Sequence, residues 1–114
     1  MNSGRNSILR GQIYWVNLDP SIGSEIKKTR PALILSNDQQ NKVGQRFIVA
    51  PLTSALGKVY PFEAVVDIKG KSSKVMLDQI RTIDQARLAG YLGSLSHEEM
   101  EHVEKALKLV LDLY

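Results

Sequence analysis

Gly23-Ser24-Glu25-Ile26-Lys27-Lys28-Thr29-Arg30-Pro31-Ala32-Leu33-Ile34-Leu35 is the stretch that decides how this chain is read. A polar, basic loop runs directly into an apolar strand. Pro31 fixes its own φ and biases Arg30 toward extended backbone, so the guanidinium leaves the start of the strand at a defined angle. Arginine presents a rigid fork of donors suited to phosphate, which a flexible lysine does not. The carboxylate of Glu25 and the cations Lys27, Lys28 and Arg30 crowd into this one loop. The plain alternative is a charged surface loop in which Arg30 pairs with Glu25.

Working outward, Ile13-Tyr14-Trp15-Val16 is apolar on both faces, as in a strand buried on both sides. Asp19-Pro20 with Ser21 and Gly23 ends it in a turn. After the strand at 31–36, Asn37-Asp38 can cap a helical turn over 39–43 that Gly44 ends. Residues 46–52 read as a third strand, with Pro51 tolerable only near an edge or an end. Thr53-Ser54 closes it, and a loop holding Gly57 and Pro61 leads to a strand over 62–67, where Glu63 fits the alternation poorly. Residues 69–74 form a basic turn, followed by the short runs Val75-Met76-Leu77 and Gln79-Ile80-Arg81. A helical turn near Asp84 to Leu88 and a strand over 91–95 come next. Ser96 with Glu99 is a capping box, and Met100, Val103, Leu107, Val110, Leu111 and Tyr114 follow at helical spacing. The expectation is a mainly β (β+α) fold: a small barrel or strongly bent sheet closed by a C-terminal helix. It occupies residues 10–114 as one domain, with residues 1–9 a disordered tail.

Composition narrows the function classes. The 114 residues are 43% hydrophobic and 24% charged, ordinary for a globular chain, and suffice for one domain rather than two. The absence of cysteine excludes disulfides, thiol catalysis and thiolate metal sites. The apolar runs are too short to span a membrane, and Met1 to Leu9 is polar with no apolar core, so a cytoplasmic protein is expected. Residues 1–74 carry 11 Lys/Arg against 5 Asp/Glu, whereas residues 75–114 carry 4 against 7. A basic body ahead of an acidic segment points to an anionic partner, with nucleic acid first in line.

Several chemistries fail on residue supply. His97 and His102 lie five apart on a helix with no companion ligands, so no metal site is expected. No glycine-rich phosphate loop is present, and Ser54 lacks the glycines of a nucleophile elbow. What remains is Glu25, Arg30, Thr53 and Ser54, with Asp78, Gln79 and Arg81 as a second cluster. If the second and third strands pair antiparallel, Thr53 at the end of one lies beside Arg30 at the start of the other. Such a set suits RNA phosphodiester transfer, where the ribose 2′-OH is the nucleophile. The protein then needs only charge stabilisation on the phosphorane and proton donors and acceptors in reach. Arg30 supplies the first, Glu25 can accept a proton, and Thr53 can orient a phosphate oxygen. Asp78 and Arg81 have a structural alternative, an ion pair across a turn, and Trp15 reads as core rather than as a base-stacking ring.

The ordered set Arg10-Gly11-Gln12-Ile13-Tyr14-Trp15, Asn17-Leu18-Asp19-Pro20, Gly23-Ser24-Glu25, residues 29–36, Val49-Ala50-Pro51-Leu52-Thr53-Ser54, Tyr60-Pro61-Phe62-Glu63 and residues 78–84 resembles the MazF/PemK family of toxin endoribonucleases. The likeness spans residues 9–114. It implies an SH3-like barrel of about five to seven strands with a C-terminal helix, assembled as a homodimer. It further implies cleavage of single-stranded RNA at short sequences without metal or other cofactor, leaving a 2′,3′-cyclic phosphate and a 5′-hydroxyl. The family's catalytic arginine and threonine fall on Arg30 and Thr53, and its loop glutamate on Glu25. The acidic-Gln pair that contacts RNA in relatives falls on Asp78 and Gln79, and the loop at Tyr60 and Pro61 borders the same groove. Ser54 and Arg81 are further candidates for RNA contact, and Lys27 and Lys28 read as phosphate steering or solvated charge. Some PemK-type relatives carry a histidine and an arginine where this chain has Ser24 and Met76, so it is closer to the MazF branch. The implied partner is an antitoxin with an acidic, disordered tail. Toxins that poison DNA gyrase share the fold, which leaves a non-catalytic nucleic-acid-binding reading as the alternative.

Overall fold

A computed structural model describes residues 7–18 and 29–114. Seven strands and two helices follow in the order β1 (Gln12–Asn17), β2 (Thr29–Ile34), α1 (Asp38–Val43), β3 (Arg46–Thr53), β4 (Glu63–Ile68), β5 (Lys71–Met76), β6 (Arg81–Asp84), β7 (Leu88–Ser94) and α2 (His97–Leu111). The strands form one curled antiparallel sheet, a half-barrel ordered β4-β5-β3-β2-β1-β7, with β6 beside β3. The expected mainly β fold with a C-terminal helix is what forms. Ahead of β1, Ile8 packs on the sheet and the Leu9 N–H donates to Gln12 Oε1 at 2.8 Å.

β3 is the axis of the sheet. On one side it pairs with β2; on the other, residues 46–49 pair with β6 and residues 52–53 with β5. Pro51 is not on an edge strand but lies near an end, two residues before β3 stops at Thr53, as the sequence expectation allows. It is buried in the central strand, between the stretch that pairs with β6 and the stretch that pairs with β5.

Both faces of the sheet carry a core, because alternate residues of the central strands are apolar on each side. Ile13, Leu33, Ala50, Leu52 and Val75 pack under α2 with Met100, Val103 and Ala106. Val16, Ala32, Ile34, Phe47, Val49 and Ile83 fill the opposite face. Fully burying each large side chain contributes about 1.5–3 kcal/mol. The β1 pattern is corrected in one respect. Ile13 and Val16 are buried, but Trp15 is 39% exposed and so is not core.

Two other expectations change. The basic turn over 69–74 is only two residues long, with Lys69 at φ 51° and Gly70 at φ 83°, and Lys71 already begins β5. Positive φ at both central positions matches the twist of a tight hairpin, and a lysine there conceals it. The run at 79–81 is the entry to β6, after a single 3-10 turn at Leu77–Gln79.

Helix ends follow their local chemistry. Asn37 caps α1 by accepting the Gln40 N–H, and Gly44 ends it at φ 85°. Ser96 and Glu99 form the expected reciprocal box on α2, and Glu99 Oε2 also accepts the Asp67 N–H at 2.8 Å, tying the helix to β4. Leu111 and Tyr114, placed in the apolar stripe from spacing, are exposed, because α2 stops at Leu111 and turns out through Asp112 at φ 57°.

Candidate functional site

Arg30 is the second residue of β2 and Thr53 the last of β3. The register Ala32↔Pro51, Leu33↔Ala50, continued by two residues, sets Arg30 opposite Thr53. The antiparallel pairing expected from sequence therefore holds and brings the two together. Between them they divide two cavities. The larger, about 720 Å³, is lined by the polar and charged side chains of Arg30, Thr53, Ser54, Lys69 and Lys71 together with the apolar Trp15, Pro31, Leu52, Ile68 and Leu92. The smaller, about 400 Å³, sets Arg30 and Thr53 against Leu18, Met76, Gln79 and Arg81. Among the described residues no carboxylate lines either cavity, so both favour an anion.

Thr53 Oγ1 accepts the Ala55 N–H at 3.1 Å. That bond occupies the oxygen and leaves the hydroxyl proton free to donate outward. Arg30 is exposed, and its guanidinium has no hydrogen bond or ion pair among the described residues. No described residue engages its donors. Arg81 differs: its Nη1 donates to the Leu18 carbonyl at 2.9 Å, pinning the end of β1, and it makes no pair with Asp78. Gln79 reaches the Met76 sulfur at 3.6 Å, a weak contact that a better acceptor would replace.

Beyond Thr53 lies an interaction that sequence reasoning missed. Lys74, in register with Thr53 on β5, forms an ion pair with Glu63 at 3.0 Å and donates to the Lys58 carbonyl at 2.9 Å. Glu63 also accepts the Tyr60 N–H at 3.0 Å. Burial pushes the Glu63 carboxyl up, but the Tyr60 amide and the Lys74 ammonium outweigh it and hold it below its ordinary value. The loop from Thr53 to β4 is thus fastened from inside. The signal was Glu63 itself, whose poor alternation marks a carboxylate turned inward.

Not every candidate joins the site. Tyr60 lines neither cavity; it stacks on Phe62 at 5.3 Å with Lys58 over its face. Pro61 lines a separate cavity of about 690 Å³ between β4 and α2. Asp78 is exposed and lines neither cavity of the Arg30 site. Glu25, Lys27 and Lys28 lie outside the described residues. His97 lies 3.5 Å from Glu101 on an exposed helix face. No three His, Asp or Glu side chains converge as metal ligands among the described residues.

A guanidinium that no described residue engages, beside a hydroxyl with its proton free, on a curled sheet closed by a C-terminal helix, is an arrangement able to hold a phosphate group. Residues 9–111 match the family of PemK-like, MazF-like toxins of type II toxin-antitoxin systems, and the chain belongs to it. It is 39% identical to the endoribonuclease MazF9 of Mycobacterium tuberculosis over 92% of this chain and 97% of that protein. It is 36% identical to the endoribonuclease EndoA of Bacillus subtilis over 93% and 96%. A mycobacterial endoribonuclease solved in complex with its cognate antitoxin superposes with a TM-score of 0.79 at 27% identity, covering 94% of this chain and 97% of that one.

Proposed function

We propose that this chain is a sequence-specific, metal-independent endoribonuclease toxin that cuts single-stranded RNA by attack of the 2′-OH on the adjacent phosphorus. The observation that carries the reading is Arg30 facing Thr53 at the meeting of two cavities that no carboxylate lines among the described residues. A strand lying across this ridge places its phosphate at the guanidinium and its flanking nucleotides on either side. Arg30 then stabilises the charge that builds on the phosphorane, and the Thr53 hydroxyl holds a non-bridging oxygen. Glu25 takes the 2′-OH proton, the P–O5′ bond breaks with the 5′-oxygen taking a proton from solvent, and a 2′,3′-cyclic phosphate and a 5′-hydroxyl result. The substrate carries its own nucleophile, so no step needs a metal. Ser54, Gln79 and Arg81 line the path of the strand, with Lys27 and Lys28 drawing phosphate in and Tyr60, Pro61 and Asp78 contacting RNA farther out.

The antitoxin would lay an acidic, disordered tail along the same cations and fold on binding, so added salt should weaken the complex. A homodimer would cover apolar residues such as Leu109, Leu113 and Tyr114 that the single chain exposes, and sedimentation equilibrium reports it. No helix among the described residues is long and apolar enough to cross a membrane, in keeping with a cytoplasmic site of action. The test is long single-stranded RNA incubated with the protein in EDTA, with the new 5′ ends mapped. Discrete cuts bearing 5′-hydroxyls, lost in Arg30→Ala, are expected. Intact RNA from folded, antitoxin-free protein would favour the non-catalytic alternative.

A further inference from the structure

Within the larger cavity, one buried polar side chain is left unbonded by the described residues. Ser73 on β5 is 7% exposed, lines the cavity, and its hydroxyl has no hydrogen-bond partner among the described residues. A buried hydroxyl without a partner is unfavourable, and a native protein keeps one where something else supplies the bond. Trp15 stands in the same cavity 39% exposed, an aromatic surface left open to solvent. Leu92 and Ile68 add apolar lining, and Lys69 and Lys71, both exposed, add positive charge. The volume of about 720 Å³ lies within the range of small-ligand sites, about 300–1,000 Å³.

We infer that this cavity is a nucleobase subsite, in which a base flanking the scissile phosphate stacks on Trp15 and is read at its edge by the Ser73 hydroxyl. A base is flat and apolar on its faces and polar at its edge, which is the pattern of the lining; Lys69 and Lys71 neutralise its own phosphate. Ser73 becomes a specificity-determining residue, with the strand continuing over the Arg30–Thr53 ridge. This inference rests on the nuclease reading for the direction of the strand, but its test does not require cleavage.

Trp15 is the only tryptophan, so its emission reports the cavity directly. The probes are four homopolymeric 2′-O-methyl hexaribonucleotides, whose blocked nucleophile cannot react, with end-labelled copies for anisotropy. At least one base should bind by anisotropy and change Trp15 emission saturably. Ser73→Ala should weaken that oligonucleotide roughly three- to tenfold, one hydrogen bond's worth, and narrow the spread among the four bases. Its melting temperature should be unchanged or higher, since the unsatisfied hydroxyl is gone, which separates base reading from a structural role. Anisotropy binding with silent Trp15 emission, equal weakening of all four bases, or no binding at all would each overturn the subsite. Cleavage of ordinary RNA is scored separately: a responsive Trp15 in a protein that cuts nothing defeats the nuclease reading alone.

Discussion

Thr53 is flanked by two cations with opposite fates. On one side Lys74 is buried, with its ammonium held by Glu63 and the Lys58 carbonyl. On the other, Arg30 lies in solvent with no partner among the described residues. A buried charge has to be satisfied by the protein or the fold does not form. An exposed guanidinium faces no such demand and can keep its fork for a ligand. The contrast separates a cation that holds the site together from one that acts in it, which their charge and their closeness to Thr53 do not.

The largest expected effect breaks the comparison on the Arg30 side. Arg30→Ala should lower cleavage by roughly a thousandfold or more, as for loss of a donor aimed at developing charge, with the denaturation midpoint unchanged. Arg30→Lys should recover only a small part, because a point charge lacks the fork. Full activity in the lysine variant would mean that Arg30 steers RNA and does not bind the phosphorane.

On the Lys74 side the effect falls on stability. Lys74→Met leaves Glu63 buried and unpaired and should destabilise by about 3–5 kcal/mol in urea denaturation. The double variant Lys74→Met/Glu63→Leu should recover much of that loss. The pair also carries a pH signature. Because the folded Glu63 carboxyl is held low, its stabilisation is complete above the ordinary value of about 4.3 and is lost as the pH falls through the lowered value. Wild type should therefore lose stability more steeply below about pH 4 than the double variant does. Equal acid slopes would show that Glu63 is not depressed in the fold.

What the sequence disclosed follows the same division between local and distant chemistry. The α1 cap at Asn37, its stop at Gly44 and the Ser96–Glu99 box involve residues three to seven apart, and all are present. The meeting of Arg30 and Thr53 needed only one assumption, that successive strands pair antiparallel. β6 escaped notice because its four residues gain strand structure from the first half of β3, far away in the chain. Trp15 was misplaced for a related reason. Its apolar neighbours indicate burial, whereas its exposure is set by where the curled sheet leaves a cavity open. Lys74 looked like turn charge because nothing local announces Glu63 as its partner.

Thr53 itself tests how much of the site's action passes through the hydroxyl. Thr53→Ala should reduce cleavage by about ten- to a hundredfold, and Thr53→Ser should stay within a fewfold of wild type. Serine keeps the acceptor for the Ala55 N–H and the outward proton. If serine fails like alanine, the methyl group's packing matters more than the hydroxyl.

The smallest effect sharpens the rule. Arg10 and Glu104 make an ion pair of 2.8 Å, no longer than that of Lys74 and Glu63, but their side chains are 31% and 44% exposed against 10% and 7%. Water solvates Glu104 when its partner is gone, and Arg10 keeps the Leu35 carbonyl through Nε. Glu104→Gln should therefore cost only about 0.2–1 kcal/mol, and less in high salt. A loss as large as that of Lys74→Met would show that geometry alone decides what an ion pair contributes here. A small loss assigns the difference to burial, the same variable that leaves Arg30 free to act.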